Sequence, residues 1–222
     1  MGKAGQRGRR LGEVRSFIGE LYEPDLHAKR IDALAGATLG VMAAASLAVA
    51  MDWTDFDHDG QSTLVLSLVT GHGRAAPLLW LTMWKEEIAT RRNDYEDACL
   101  HRLAELVPAG RRVTILADRG FGDQKLFAFL GELGFGYVIR FRGNIHVADA
   151  DGQTKPAAEW VGKGGRARKL RHARVTAGSA GRGGGVRHAK GMNEPWCLAA
   201  RDPEATPLCW STTMPSVGPL CQ

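Results

Sequence analysis

The stretch Arg112-Val-Thr-Ile-Leu-Ala-Asp118-Arg-Gly-Phe-Gly-Asp123 decides how the rest of the chain is read. A short apolar run containing β-branched residues ends on an acid. Gly120 and Gly122 then turn the chain, and a second acid stands where a helix can open. The helix predicted from Asp123 has Leu126, Phe127, Phe129, Leu130 and Leu133 on its apolar face, with Gly134 and Gly136 closing it. Tyr137-Val-Ile-Arg-Phe-Arg142 reads as the next strand. Strand, turn, helix and strand in this order are the alternating part of an α/β sheet.

Upstream, the alanine-rich residues Leu26 to Ala48 read as a helix burying Leu34, Leu39, Met42 and Leu47. Val49-Ala-Met-Asp-Trp-Thr54 is a first strand ending on Asp52, followed by the turn signal Asp57-His-Asp-Gly60. Thr63 to Thr70 and Ala76 to Met83 predict two more strands. Asn93 is placed to cap a helix through Val107, with Glu96 three residues later completing a capping box and Pro108 and Gly110 stopping it. The order β-β-β-α-β-α-β implies hairpin-linked strands followed by alternation, hence a mixed sheet covered by helices.

Beyond Arg142 glycine and basic residues dominate, with short strand-like pieces at Ile145 to Val147 and Trp196 to Ala199. Residues 111–190 hold sixteen Lys or Arg against six Asp or Glu, and Lys163 to Arg174 carries six cations and no acid. Such a run is a solvated loop or, beside a nuclease-like core, a surface for DNA phosphates.

Composition bounds the alternatives. The 222 residues are 44% hydrophobic and 24% charged with a net charge of +5, values of a globular chain of one domain or a domain with an appendage. Cys99, Cys197, Cys209 and Cys221 form no CxxC pair, which excludes a disulfide scaffold and gives no zinc signature. Ala33 to Met51 lacks charge, but its alanine and glycine content suits a buried helix running into a core strand better than a membrane span. The basic N-terminus holds no compact apolar stretch ahead of a cleavage site, so the expected location is cytoplasmic.

Two acids stand out by position. If the strands ending on Asp52 and Asp118 are neighbours, both carboxylates emerge at one sheet edge, where paired acids hold Mg²⁺ for phosphoryl transfer. Acids that merely end their strands by accepting turn N–H bonds satisfy the same pattern. Asp55-Phe-Asp-His-Asp-Gly60 opens like an EF-hand loop, but its twelfth position is Leu66 where a bidentate glutamate is required. His58 and His72 have no nucleophile at a telling spacing, and Cys99 sits at a core position.

Five blocks in order (49–57, 76–82, 91–97, 116–123 and 137–145) resemble the core of a bacterial insertion-sequence transposase of the IS-four type. Leu26-His-Ala-Lys-Arg30 and Gly191 to Ala199 extend the resemblance over most of residues 26–206. It implies a ribonuclease H-like fold and two-metal phosphoryl transfer on double-stranded transposon ends, with Mg²⁺ or Mn²⁺ held by two aspartates and a glutamate. Asp52 matches the first acid and Asp118 the second; Arg119 matches a basic position of the second motif. The division implied is a helical N-terminal remnant over 1–48, a catalytic core over 49–143, a β-rich basic insertion over 144–206 and a tail over 207–222. Candidate DNA contacts are Arg119, Arg140, Arg142, Lys163, Arg166, Arg168, Lys169, Arg171 and Arg174.

The sequence departs from that family in two places. The last acid belongs to a Tyr-x-x-Arg-x-x-x-Glu motif on a helix after the insertion, and no such string occurs here. Codons compatible with the tail from Leu208, read in another frame, spell the Tyr-x-x-Arg spacing without the glutamate, which suggests a frameshifted end and a missing closing helix. The other departure is a shortened stretch ahead of the first catalytic strand. The expectation is a transposase by descent, impaired as an enzyme, with homodimer formation among its partners. The alternatives are a non-catalytic DNA-binding or regulatory remnant, and a stand-alone metal nuclease taking Glu194 or Glu204 as its last ligand.

Overall fold

The computed structural model describes residues 26–41, 45–70, 74–161, 168–175, 183–187 and 196–201. The elements are α1 (Leu26–Val41), β1 (Ser46–Phe56), β2 (Gln61–Val69), β3 (Ala75–Trp84), α2 (Lys85–Leu106), β4 (Arg112–Ala117), α3 (Gln124–Glu132) and β5 (Gly136–Phe141). Then come β6 (His146–Ala148), β7 (Thr154–Pro156), β8 (Arg168–Arg171), β9 (Arg174–Val175), β10 (Gly183–Arg187) and β11 (Trp196–Arg201). The main sheet runs β3-β2-β1-β4-β5-β11-β10-β8, and β7-β6-β9 form a small second sheet. β1 pairs antiparallel with β2 and parallel with β4, and β4 pairs parallel with β5. The sheet is therefore mixed and helix-flanked, as a ribonuclease H-like fold requires, in the element order β-β-β-α-β-α-β over 46–141.

Four local expectations differ. Leu34 of α1, expected on the buried face, is 60% exposed, while Leu39 is buried. The first helix stops at Val41, and β1 starts at Ser46 rather than Val49. Ser46-Leu-Ala-Val-Ala-Met51 alternates apolar and small residues with period two, and alanine fits the half-buried side of a strand as readily as it fits a helix. The helix expected from Asn93 instead begins at Lys85, with Trp84 at its N-cap, so Asn93 and Glu96 form no capping box. Nine more residues join the helix because Ile88, Arg92 and Glu96 continue one face back toward β3. Finally, β1 does not end at Asp52 but continues to Phe56, paired with β2 through Phe56↔Gln61.

Alternation in the strands separates two faces of the sheet. Val49, Ile115 and Tyr137 lie side by side in register on β1, β4 and β5, and all are buried. They join Tyr95, Ala98, Cys99, Leu100 and Leu103 of α2 and Leu126, Phe127, Phe129 and Leu130 of α3 in one core, which also takes in Ala35 and Leu39 of α1. The neighbouring row Ala50, Leu116, Val138 and Ala200 is only half-buried. Asp32 on α1 accepts from Arg102 Nε at 2.9 Å and Nη2 at 2.8 Å on α2, which clips the two helices together.

β3 is one edge of the main sheet, and it tolerates Pro77 because an edge strand need not donate on both sides. The register with β2 slips beside Pro77, between Leu66 and Ser67. At the other side β11 hydrogen-bonds to β5, so that β11, β10 and β8 continue the main sheet while β6, β7 and β9 do not. Among the described residues no α-helix follows β5, only the 3-10 turn Ala157–Trp160, and no helix is long and apolar enough to cross a membrane.

Candidate active site

The parallel ladder of β1 and β4 ends at Met51↔Ala117, and the next residue on each strand is an aspartate. Asp52 and Asp118 therefore leave neighbouring strands at the same level, as the sequence suggested. Both are exposed. Asp52 Oδ1 accepts a hydrogen bond from its neighbour's backbone N–H, Trp53 N, at 2.9 Å. Asp118 Oδ1 accepts from Gly120 N at 2.7 Å and caps the single 3-10 turn Arg119–Phe121. The strand-ending role thus occurs at Asp118 and not at Asp52, which lies inside β1, and each bond uses one oxygen only, which leaves a carboxylate able to act outward as well.

The turn after Asp118 is held tightly. Phe121 is buried, and a Cβ on Gly122 would stand 3.1 Å from the carbonyl oxygen of Arg140 and 3.1 Å from Phe141 Cβ. Any side chain there would need the turn and β5 to move apart by a few tenths of an ångström. A Cβ on Gly120 would stand 3.0 Å from Asp118 Oδ1 and 3.8 Å from Arg92 Nη2, so the absent side chain keeps the carboxylate and the guanidinium at one opening.

That opening is a cleft of about 240 Å³ lined by Asp52, Trp53, Asp55, Ser62, Ile88, Arg92, Asp118, Gly120 and Phe121. Asp55 accepts a hydrogen bond from Ser62 Oγ across the β1–β2 hairpin. Behind the cleft Glu96 of α2 is buried to 2% exposure, and its Oε1 accepts from Trp53 Nε1 at 3.0 Å and from Arg92 Nε at 3.1 Å. The Arg92 guanidinium lies 5.2 Å from the Trp53 ring centroid and 5.7 Å from that of Phe121, within cation–π range of both. Sequence reading gave Arg92, Trp53 and Glu96 no site role. The signals were present: Trp53 directly follows the first acid, and Arg92 and Glu96 stand at i,i+4 spacing on a helix.

An oxygen-only pair of carboxylates suits Mg²⁺ or Mn²⁺, since such ions keep several waters and bind proteins through one or two carboxylates plus substrate phosphates. Among the described residues no group of three or more His, Cys, Asp or Glu side chains is arranged to hold a metal. Glu194 and Glu204, the acids considered as a third ligand, lie outside the described residues, as do His72, Lys163 and Arg166.

Of the other basic candidates, Arg119 is exposed beside Asp118. Arg140, half-buried on β5, lies one residue past the last β4–β5 pair and hence level with Asp118. Arg142, Arg168, Lys169 and Arg174 are exposed. Arg171 is placed on β8, but its side chain lies outside the described residues. Arg168 and Lys155 stack over the buried ring of Trp160, at 5.1 Å and 4.3 Å from its centroid.

The remaining readings resolve simply. The acids of the EF-hand-like string diverge: Asp55 bonds Ser62, Asp57 pairs with Lys85, and Asp59 meets His58 Nδ1 at 3.1 Å. Lys85 holds the Asp57 carboxyl below its usual range, chiefly through their hydrogen bond. His58 is fully exposed and has no nucleophile beside it. Cys99 is buried, and desolvation pushes its thiol up to about 12, which makes it a packing residue rather than a nucleophile.

No curated protein matches the chain. Among solved structures, the Argonaute of Marinitoga piezophila in complex with 5′ OH guide RNA aligns at 10% identity with a TM-score of 0.28, over 71% of this chain and 23% of that one. The chain thus spans about a quarter of that protein's length. Residues 85–191, which include Asp118, match the family described as the transposase DDE domain. That match, over just under half of the chain, supports a transposase of the DDE superfamily, and the mixed helix-flanked sheet is consistent with it.

Proposed function

We propose that this chain derives from an insertion-sequence transposase of the IS-four type and that Asp52 and Asp118 are the metal-binding acids of its phosphoryl-transfer site. One observation carries the reading: the parallel β1–β4 ladder ends one residue before each acid, so two distant sequence positions deliver carboxylates to one cleft. The backbone bonds from Trp53 N and Gly120 N fix one oxygen of each acid and so orient both carboxylates before any ligand arrives. Bound Mg²⁺ or Mn²⁺ would activate the attacking oxygen and stabilise the leaving one. Arg119, Arg140 and Arg142 flank this end of the main sheet, Arg168 and Lys169 stand on its edge strand β8, and Arg174 stands on β9 of the small sheet. These cations are proposed to take double-stranded transposon ends through their phosphates; Lys163, Arg166 and Arg171 are further candidates from the sequence alone.

The chain lacks the family's Tyr-x-x-Arg-x-x-x-Glu string, and two carboxylates compensate the charge of two divalent ions poorly. The activity proposed is accordingly that of an impaired transposase, acting in the cytoplasm as a DNA-binding homodimer. Mn²⁺ binding followed by electron paramagnetic resonance tests the site. The full chain should bind Mn²⁺, and Asp52→Asn and Asp118→Asn should each weaken it at least about tenfold. Equal binding by Asp118→Asn would remove Asp118 from the site and leave a DNA-binding remnant as the better reading. Strand cleavage strictly dependent on Mg²⁺ and lost in Asp118→Asn would instead show a complete nuclease, directing attention to Glu194 and Glu204.

A further inference from the structure

A cleft with Asp52, Asp55 and Asp118 at its mouth repels a phosphodiester, and divalent ions alone would hold the phosphate without orienting it. One cation of the protein's own lies in the same cleft. Arg92 projects from α2 one turn after Ile88, and its side chain is 45% exposed, so solvent and DNA reach it. It is nevertheless fixed on three sides, by Glu96 at Nε and by the rings of Trp53 and Phe121.

The fixing has a cost that structure alone does not need. Burying the Glu96 carboxylate requires partners for its charge, and an apolar side chain of similar size usually serves a core as well or better. What a carboxylate adds here is a fixed direction for the guanidinium. A guanidinium carries five N–H donors in a planar fork, and that fork matches two oxygens of a phosphate. Gly120 lies between the two groups: a Cβ there would stand 3.0 Å from Asp118 Oδ1 and in van der Waals contact, at 3.8 Å, with Arg92 Nη2.

We propose that Arg92 is the phosphate anchor of this site: a guanidinium oriented by Glu96, Trp53 and Phe121 that takes the non-bridging oxygens of the DNA phosphodiester presented to Asp52 and Asp118. The assignment rests on the reading of those two acids as the metal site, and it adds a substrate contact from α2. Glu96 and Trp53 are positioning residues that act through Arg92.

The test is a fluorescence anisotropy titration of fluorescein-labelled linear duplex DNA with the full chain, over a range of salt, in Ca²⁺ and in EDTA. Arg92→Gln should weaken binding in Ca²⁺ roughly tenfold, as loss of one charge-assisted contact does. It should also lower the salt slope by about one. Arg92→Lys should restore the slope but not the full affinity, because it keeps the charge and lacks the fork. Glu96→Gln should keep the slope and weaken binding less than Arg92→Gln does. Affinity and slope equal to the parent chain in a folded Arg92→Gln would overturn the proposal. Should that variant fail to fold, Arg92→Lys decides: reduced affinity at an unchanged slope supports the anchor, and parent-like affinity overturns it. Asp118→Asn separates the two levels. An intact Ca²⁺ effect on DNA binding that Asp118→Asn removes, beside an unaffected Arg92→Gln, sinks the anchor alone. A parent chain indifferent to Ca²⁺ sinks the metal site and the anchor together.

Discussion

The two faces of the main sheet are built from the same strands in the same register, yet they do different work. On one face Leu47, Val49 and Met51 of β1, Val113 and Ile115 of β4, and Tyr137 and Ile139 of β5 are buried with residues from all three helices. On the other, Ala48 and Ala50, Thr114 and Leu116, and Val138 and Arg140 are half-buried. By alternation Asp52 continues the row of Ala48 and Ala50, and Asp118 that of Thr114 and Leu116. Both candidate metal ligands, and Arg140 level with them, therefore have the parity of the open face. The closed face fixes where the strands end, and the open face receives what those ends present. Stability and chemistry are divided residue by residue along each strand.

Adjacent residues of one strand give the strongest way to break this contrast. Ile115 is fully buried on the closed face, and Leu116 is half-buried on the open one. In urea denaturation Ile115→Ala should cost about 2–5 kcal/mol, the range for a large core aliphatic, while Leu116→Ala should cost roughly 1 kcal/mol. Equal costs would mean that the open face is covered in solution as fully as the closed one.

Next in size is the turn that brings the second acid to its place. Gly122→Ala puts a methyl against the backbone of β5, at 3.1 Å from the Arg140 oxygen, and neither side can yield cheaply. A loss of about 1–3 kcal/mol is expected by the same measurement. Gly120→Ala meets the Asp118 carboxylate instead, so its effect should fall on Mn²⁺ affinity more than on the denaturation midpoint. A Gly120→Ala variant with normal Mn²⁺ binding and lowered stability would contradict the open role given to that turn.

The closed face was the more legible one. The apolar run of β4, the face of α3 from Leu126 to Leu130 and the glycine at Gly134, whose φ of +74° ends α3, all follow from period and punctuation. The place of Asp118 was legible as well, because an acid directly after a buried strand is a local pattern, whereas β1 runs on past Asp52. Three things were not. The boundary between α1 and β1 falls in a run of alanines, which packs in either element. The start of α2 carries no side-chain cap, and the acids Glu86 and Glu87 in its first turn are a weaker mark than the Asn93–Glu96 pattern downstream. The cluster of Arg92, Glu96 and Trp53 joins residues 43 apart in the chain, Trp53 and Glu96, and only the docking of α2 on the sheet brings them together. Local pattern reads strand ends well and contacts across elements poorly.

The basic surface sharpens the contrast in a different quantity. Arg168 is exposed and stacked on Trp160, which would hold the phosphate contact proposed for it on a fixed base. Arg168→Ala should weaken duplex DNA binding evenly across sequences and lower the salt slope by about one, with the denaturation midpoint nearly unchanged. Anisotropy titrations over a range of salt provide the check, and an unchanged slope would remove Arg168 from the DNA surface.

The smallest effect tests how dry the closed face is. Cys99 of α2 is buried in the core, and desolvation raises its thiol from 9.0 to about 12, with the charge of Asp32 adding to the shift. The folded chain therefore keeps the proton while the unfolded chain releases it from about pH 9 upward. Above that value the unfolded state binds fewer protons, so stability is full below pH 9 and declines as pH rises toward 12. The slope from one such group is at most about 1.4 kcal/mol per pH unit. Tyr95 and Tyr137 also have raised values, chiefly through burial, and contribute a decline of their own. The readout is therefore the difference between the parent chain and Cys99→Ala in denaturation midpoints from about pH 8 to pH 10. Cys99→Ala should start lower because it opens a small cavity, and its midpoint should fall less steeply with pH. Parallel curves would mean that water reaches the thiol between α2 and the sheet, and that the closed face is less closed than its burial indicates.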